Sequence, residues 1–160
     1  MLAGMWKKWL IALALIALTA GLWLWRLCAQ TPQQQVMARQ NAFLLAVEER
    51  DWDQVLSMLT PDYADDYGHD RESAVEDARQ VLAGFFTLTI KPQVEVLQAV
   101  PDLGMVKMKI RIEGRGAGFS EAVIGRVNSL EEPWFFHWHK RGRWPWSWQI
   151  VQIHNDGLRL

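Results

Sequence analysis

An aromatic stretch near the carboxyl end, residues 133–155, places the strongest constraint on how this chain can fold. It holds five of the ten tryptophans, in two aromatic and β-branched runs around a charged loop at residues 140–143. Two such runs joined by a short loop with glycine predict a β-hairpin. The register set by this loop predicts cross-strand pairs of His139 with Trp144, His137 with Trp146, and Phe135 with Trp148.

Both faces of this hairpin are aromatic. Side chains alternate between the faces of a strand, so Trp134, Phe136 and Trp138 share the face opposite to His137. One face can pack on the protein's own core. The other face needs a lid, a ligand, a second subunit or a membrane surface. The tryptophans predicted to form an interface are Trp134, Trp138, Trp144, Trp146 and Trp148.

The composition excludes several classes of protein. Half of the 160 residues are hydrophobic, which is enough for the core of one domain. The single cysteine excludes an internal disulfide and a cysteine-based zinc site. The first thirty residues hold Lys7, Lys8 and Arg26 and no acid, so 14 of the 17 basic residues remain against all 18 acidic ones. That acidic balance argues against a nucleic-acid-binding protein.

An uncharged apolar run of 17 residues extends from Trp9 to Trp25. As a helix it would be about 25 Å long, near the short end for crossing a bilayer. Lys7 and Lys8 precede it, and tryptophans lie at both ends, as is typical of membrane interfaces. A cleaved signal peptide and a buried core helix are the alternatives, although no small-residue cleavage site follows the run.

We therefore predict a single-pass signal-anchor in the inner (cytoplasmic) membrane. The positive-inside rule places the amino terminus in the cytoplasm and the rest on the extracytoplasmic, periplasmic side. The predicted organisation is a cytoplasmic tip with a transmembrane helix in residues 1–29, a linker in residues 30–35 and one domain in residues 36–160.

The pattern within the domain changes from helical to alternating. Three helices are predicted first, the second beginning after Asp51 and the third after Asp70, since aspartate is a preferred helix cap. From Phe86 onward, alternation predicts about six strands. They are residues 86–91, 94–100, 106–113 and 121–130 and the two strands of the aromatic hairpin. Helices followed by antiparallel strands predict an α+β fold, with three helices packed on a curved, mainly antiparallel sheet.

Several stretches resemble the nuclear transport factor 2-like superfamily, also called the cystatin-like or SnoaL-like cone. They are residues 43–50, the Asp51-Trp52 to Asp62-Tyr63 step, residues 68–72 and the closing strand in residues 142–153. The resemblance covers about residues 36–154. It implies a curved sheet wrapped against helices around a pocket. The superfamily includes isomerases, dehydratases and non-catalytic binding modules. An anchor followed by such a domain also resembles inner-membrane assembly proteins of type IV secretion systems.

The resemblance implies that an acid or a histidine moves a proton in catalytic members, while a tyrosine stabilises an oxyanion. The candidate pocket residues here are Tyr63, Tyr67, Arg126 and His137, with Asp66 as a candidate acid. None lies in a motif that matches the catalytic positions of the family. We favour the interpretation that the tyrosines pack at the mouth of the cone and the acids are solvated, and we assign no catalytic residue.

Other patterns are weaker. His137 and His139 could hold a metal, but the predicted opposite residues are tryptophans and no third ligand follows, so we predict neither a metal nor a cofactor. Gly114, Gly116 and Gly118 indicate a turn between strands. The basic stripe of Lys107, Lys109 and Arg111 is interpreted as the solvated side of a strand, with contact to anionic lipid as the alternative.

These observations predict a membrane-anchored extracytoplasmic module that binds a partner protein, a second copy of itself or a small apolar ligand. Two alternatives stay open. One is a small isomerase- or lyase-like enzyme that uses the pocket. The other is a tether within an envelope assembly.

Overall fold

The computed structural model describes Trp9, residues 13–22, Trp25 and residues 29–158. The chain divides into two compact units between Thr31 and Pro32. In the first unit, residues 13–22 are helical and their large apolar side chains are exposed. Within the described residues, no helix is both long and apolar enough to cross a bilayer. The remainder of the predicted anchor lies outside the described residues.

The second unit is an α+β domain, as predicted. Its elements in chain order are α1 (Pro32–Glu49), α2 (Trp52–Met58), α3 (Arg71–Leu82), β1 (Phe85–Ala99), β2 (Leu103–Gly116), α4 (Ser120–Asn128), β3 (Trp134–Lys140), β4 (Trp148–Asn155) and a 3-10 turn (Asp156–Leu158). The strands form one antiparallel sheet in the order β1-β2-β3-β4. Helix α1 contacts β1, β2 and β4, so it covers one face of the sheet.

Side-chain caps begin α2 and α3 where the sequence predicts them. The Asp51 carboxylate accepts a hydrogen bond from the backbone N–H of Gln54 at 3.1 Å, and Asp70 accepts one from Ser73 at 2.8 Å. Each carboxylate satisfies an N–H group that has no partner inside the helix. At the end of α1, Arg50 adopts a positive φ of 59°, which turns the chain directly into α2.

The prediction of about six strands is wrong, because residues 32–158 form four. Residues 86–91 and 94–99 belong to one strand, β1, which continues through Pro92 and ends before Val100. Proline is tolerated there because β1 is an edge strand and its missing N–H interrupts no inner ladder. Residues 121–130 are mostly the helix α4, whose Val123, Ile124 and Val127 pack against Phe85, Leu88 and Ile112. This non-local packing outweighs the β propensity of its valines.

The predicted register of the aromatic hairpin is also wrong. Residues 141–147 form the loop, and the observed cross-strand pairs are His139 with Gln149, His137 with Gln152, and Phe135 with His154. The Ser147 N–H donates to the Trp144 carbonyl at 3.0 Å and closes a turn with Pro145 at its second position, which proline favours, so residues 144–147 do not extend β4. A register shift between His137 and Trp138 displaces the pairing further.

Two of the hairpin tryptophans form the centre of the core. Trp138 and Trp148 are both fully buried. The indole N–H of Trp138 donates to Gln40 Oε1 at 3.0 Å, and that of Trp148 donates to Gln35 Oε1 at 3.1 Å. Both glutamines lie on α1, so these bonds join the helix to β3 and β4.

The second unit carries its own core. Within the described residues, the main cluster of buried and partly buried apolar side chains lies between Val36 and Ile153, and the smaller one around Phe85 lies in the same range. A compact unit with its own core folds independently. Residues 30–160 therefore form a suitable fragment for solution experiments.

Candidate functional site

A cavity of about 750 Å³ lies between the helices and the sheet of the second unit. Its walls come from all four helices and from β1, β2, β3 and β4, and they are almost entirely apolar. Representative wall residues are Phe43, Val55, Val75, Leu88, Ile110, Ile112 and Trp134. The strand residues reach it because alternate side chains of β1 and β2 point to the helix-covered face.

A histidine between two carboxylates contributes to the polar part of this cavity. His69 Nδ1 lies 2.8 Å from Asp65 Oδ2, and Nε2 lies 3.0 Å from Asp77 Oδ2 on α3. The other Asp65 oxygen accepts the backbone N–H groups of Tyr67 and His69, each at 2.9 Å. The tight turn is completed by Gly68 at a φ of 90°, a conformation that glycine adopts without strain. We call Asp65, His69 and Asp77 the histidine clamp.

The hydrogen bond from His69 to Asp65 is the largest contribution that raises the pKa of this imidazole, and the charges of Asp65 and Asp77 act in the same direction. Partial desolvation opposes them and is outweighed. Both ring nitrogens face a carboxylate oxygen, and only the imidazolium form can donate to both. The protonated clamp thus connects the loop before α3 to α3 itself.

His69→Gln is expected to destabilise the domain more at pH 5.5 than at pH 8.5. A raised folded-state pKa gives stabilisation that is complete below the unfolded value, about 6.5, and that is lost as the pH rises through the folded value. We expect the difference between the two pH values to be about 0.5–1 kcal/mol, since the clamp is partly exposed. Urea unfolding of wild type and variant at both pH values measures it. A difference that is larger at pH 8.5 would contradict a protonated clamp.

Three of the four candidate pocket residues line the cavity, and the side chains of two of them are hydrogen-bonded. The Tyr67 hydroxyl donates to the carbonyl oxygen of Asn155 at 2.8 Å and accepts its N–H at 3.1 Å. Arg126 donates to the Gly157 carbonyl at 3.0 Å. Tyr63 is buried, and this burial raises the pKa of its hydroxyl. The cavity wall therefore contains one tyrosine whose hydroxyl stays protonated, Tyr63, and two residues whose polar groups are hydrogen-bonded, Tyr67 and Arg126.

The fourth candidate, His137, does not reach this cavity. It lines a separate groove of about 300 Å³ between β1, β2 and β3. Its ring stacks on His154 with centroids 5.4 Å apart, and His154 stacks on Phe135 at 4.7 Å. Burial, with His154 and His139 nearby, lowers the pKa of His137. The predicted His–Trp pairs are wrong, because the hairpin register places His137, His154 and Phe135 together instead.

The five candidate interface tryptophans have three different environments. Trp138 and Trp148 are core residues, and Trp134 is half-buried and lines the cavity. Only Trp144 and Trp146 are exposed, and their rings stack at 5.1 Å. The aromatic surface is thus smaller than predicted and lies in the loop between β3 and β4.

The clamp is the part of the site that the sequence analysis missed. The signal was an Asp65-x-x-x-His69 spacing in a loop whose acids we interpreted as solvated. Candidate Asp66 instead accepts a hydrogen bond from Gln152 at 2.8 Å. The basic stripe is partly neutralised, because Lys107 and Lys109 both lie within 4.0 Å of Glu95. Among the described residues, no group of three histidine, cysteine or acidic side chains could hold a metal.

Comparison with known proteins finds likeness in fold. No family model matches the sequence, and no curated protein matches it. A scytalone dehydratase-like protein from Novosphingobium aromaticivorans has a TM-score of 0.59 at 8% identity, covering 76% of this chain and 80% of its own. A nuclear transport factor 2-like protein from Cytophaga hutchinsonii has a TM-score of 0.57 at 12% identity, with 79% and 98% covered.

A protein from Bdellovibrio bacteriovorus has a TM-score of 0.57 at 12% identity over 76% of this chain. The present chain spans only 39% of the length of that protein. Together these likenesses show that the fold is the nuclear transport factor 2-like, cystatin-like cone. At such low sequence identities, a shared fold does not indicate a shared activity.

Proposed function

We propose that this protein is a membrane-anchored, extracytoplasmic module that binds a small apolar molecule in its cone cavity. The observation that carries the proposal is the apolar cavity of about 750 Å³. Sites for small molecules fall within about 300–1,000 Å³ and are lined mainly by apolar side chains. An apolar occupant would remove these walls from water at no cost in lost hydrogen bonds.

The state of the polar groups favours binding over catalysis. His69 and Asp65 bond to each other, Asp65 also holds two backbone N–H groups, and the Tyr67 hydroxyl is bonded twice to Asn155. A general base needs a free lone pair within reach of the proton that it removes. Polar groups that are already hydrogen-bonded instead fix the shape of the cavity. The cavity then selects its ligand by the shape and the apolar surface of that ligand.

Binding can be tested with the uncharged fluorophore N-phenylnaphthylamine and the fragment of residues 30–160. We expect saturable binding of one probe per chain, with a Kd on the order of 10 µM for a ligand of this size. Ala78→Trp places an indole at a wall position of α3 and is expected to weaken binding about tenfold or more, because the ring occupies the volume that the probe needs. Fluorescence titration measures both values.

Gln80→Trp is the matched control. It adds the same side chain to the same helix at an exposed position that does not line the cavity. We expect binding as in wild type. Equal binding by Ala78→Trp and Gln80→Trp, with both variants unfolding cooperatively, would contradict the cavity as the site. Absence of saturable binding to wild type would also contradict it.

A small isomerase- or lyase-like enzyme is the second candidate function. The histidine clamp at the cavity and the dehydratase-like name of one structural neighbour favour it. In that case His69→Gln would bind a small molecule extracted from the native protein as wild type does, yet fail to convert it. Conversion by neither protein would leave binding as the function, whereas conversion by both would show an activity that does not depend on His69.

The anchoring and the partners are proposals as well. The exposed apolar helix in residues 13–22 supports insertion of the segment from Trp9 to Trp25 in the inner membrane, with the amino terminus inside. A second copy of the chain or an envelope protein is a further proposed partner. Protease added to sealed, right-side-out spheroplasts should digest residues 32–160. Protection of the domain in intact spheroplasts, with digestion only after lysis, would contradict this topology.

A further inference from the structure

One end of the domain gathers the start of α1 and two connections between strands. Gln33 Nε2 donates to the Ala99 carbonyl at 3.0 Å, beside the β1–β2 turn. The backbone N–H of Lys140 donates to the Asp102 carbonyl at 2.9 Å, which joins that turn to the β3–β4 loop. The chain therefore enters the domain beside the loop of residues 141–147.

That loop holds its two tryptophans exposed in a fixed arrangement. Trp144 and Trp146 are 54% and 48% exposed, with ring planes 7° apart. Pro145 between them is buried, and its ring restricts the backbone. The Arg141 N–H donates to the Ser147 carbonyl at 2.8 Å, and the Ser147 N–H donates to Trp144 at 3.0 Å. These two hydrogen bonds close the loop, so the conformation of the loop itself keeps both tryptophan side chains exposed.

The surroundings of the two indoles are apolar and weakly cationic. Val100 and Leu103 of the adjacent turn are 56% and 52% exposed. Lys140, Arg141 and Arg143 against Asp62 and Asp102 leave one net positive charge at this end of the domain. Arg141 is paired with Asp62, which leaves the exposed Arg143 as the cation next to the indoles. We call Val100, Leu103, Arg143, Trp144 and Trp146 the loop-end patch.

We propose that the loop-end patch docks on the headgroup layer of an anionic lipid bilayer and orients the domain on it. Tryptophan is enriched at membrane interfaces because its ring is apolar and its N–H is polar, and a nearby arginine is attracted to anionic lipid. The position of the patch rests in part on the proposed anchoring. Pro32 is seven residues after Trp25, a distance of at most about 25 Å in an extended chain. An anchored domain therefore keeps this end near the bilayer.

Docking is tested without the anchor, on residues 30–160 and vesicles of phosphatidylcholine with phosphatidylglycerol. We expect co-sedimentation with these vesicles and a blue shift of tryptophan emission. The double variant Trp144→Ser/Trp146→Ser should bind about tenfold more weakly and lose the shift. Pure phosphatidylcholine vesicles should bind wild type more weakly, because the attraction to Arg143 is removed.

The matched control is Phe86→Ser/Phe119→Ser, which removes two aromatic side chains that are 75% and 85% exposed at the other end of the β1–β2 hairpin. It should bind vesicles as wild type does. Equal loss in both double variants, equal binding to both kinds of vesicle, or no binding by wild type would overturn the proposal. So would tryptophan-dependent dimerisation without vesicle binding, which would assign the patch to a second copy. Protease protection tests the anchoring separately.

Discussion

Trp138→Ala is expected to lower the free energy of unfolding of residues 30–160 by about 3–5 kcal/mol, the range for removing a large buried aromatic side chain. Trp138 is fully buried, so the variant leaves a cavity at the centre of the core. It also removes the donor to Gln40 Oε1, and Gln40 itself is fully buried, so an acceptor is left without its partner. Urea unfolding followed by circular dichroism measures the loss.

Trp144→Ala supplies the comparison within the same hairpin. Its ring is half exposed and stacks on Trp146, so the expected change in stability is within about 0.5 kcal/mol. Similar losses in the two variants would contradict the separation of the hairpin tryptophans into core and surface residues. This separation matters for function, because the proposed lipid contact uses only the exposed pair.

The parts of the fold that depend on local chemistry could be predicted from the sequence. Asp51 and Asp70 cap the helices that they were expected to cap, since a cap needs only a carboxylate and N–H groups within three residues. Alternation also placed Phe136 and Trp138 on one face of the hairpin, and both are buried, although Trp138 was predicted to be an interface residue. Both results follow from geometry within one element.

The parts that depend on distant residues could not be predicted. The valines and isoleucine of residues 121–130 fit a strand or a helix, and their packing against Phe85 and Leu88 decides for a helix. The hairpin register depends on a bulge and on Pro145, and it changes every cross-strand pair at once. A short apolar run alone does not contain this information.

The candidate site shows the same division. Tyr63, Tyr67 and Arg126 were chosen through the family resemblance and line the cavity, whereas His137 lies in another groove. The histidine clamp was missed because Asp77 meets His69 only after the chain turns at Gly68 and enters α3. The spacing of Asp65 and His69 indicates only the contact between those two residues, whereas the contact with Asp77 depends on the turn.

Gly114→Ala is expected to destabilise the domain by about 1–3 kcal/mol, the usual cost of forcing extra volume into a packed region. Gly114 pairs with Leu88 beside the register shift between Phe85 and Thr87. A Cβ at residue 114 would clash with the backbone carbonyl oxygen of Thr87 and come within 3.2 Å of Phe85 Cδ1. A backbone atom cannot move aside as a flexible side chain can, so the two strands must separate. Urea unfolding measures the cost.

The separation of β1 and β2 should also change the shape of the cavity, because Leu88 is one of its wall residues. We expect weaker binding of N-phenylnaphthylamine by Gly114→Ala. Gly125→Ala is the control with the opposite sign. Gly125 lies inside α4, and an added Cβ meets nothing within 4 Å. Alanine there should stabilise the helix by about 0.5–1 kcal/mol and leave binding unchanged. If both variants are stabilised, β1 and β2 do not approach as closely at Gly114 as the structure requires.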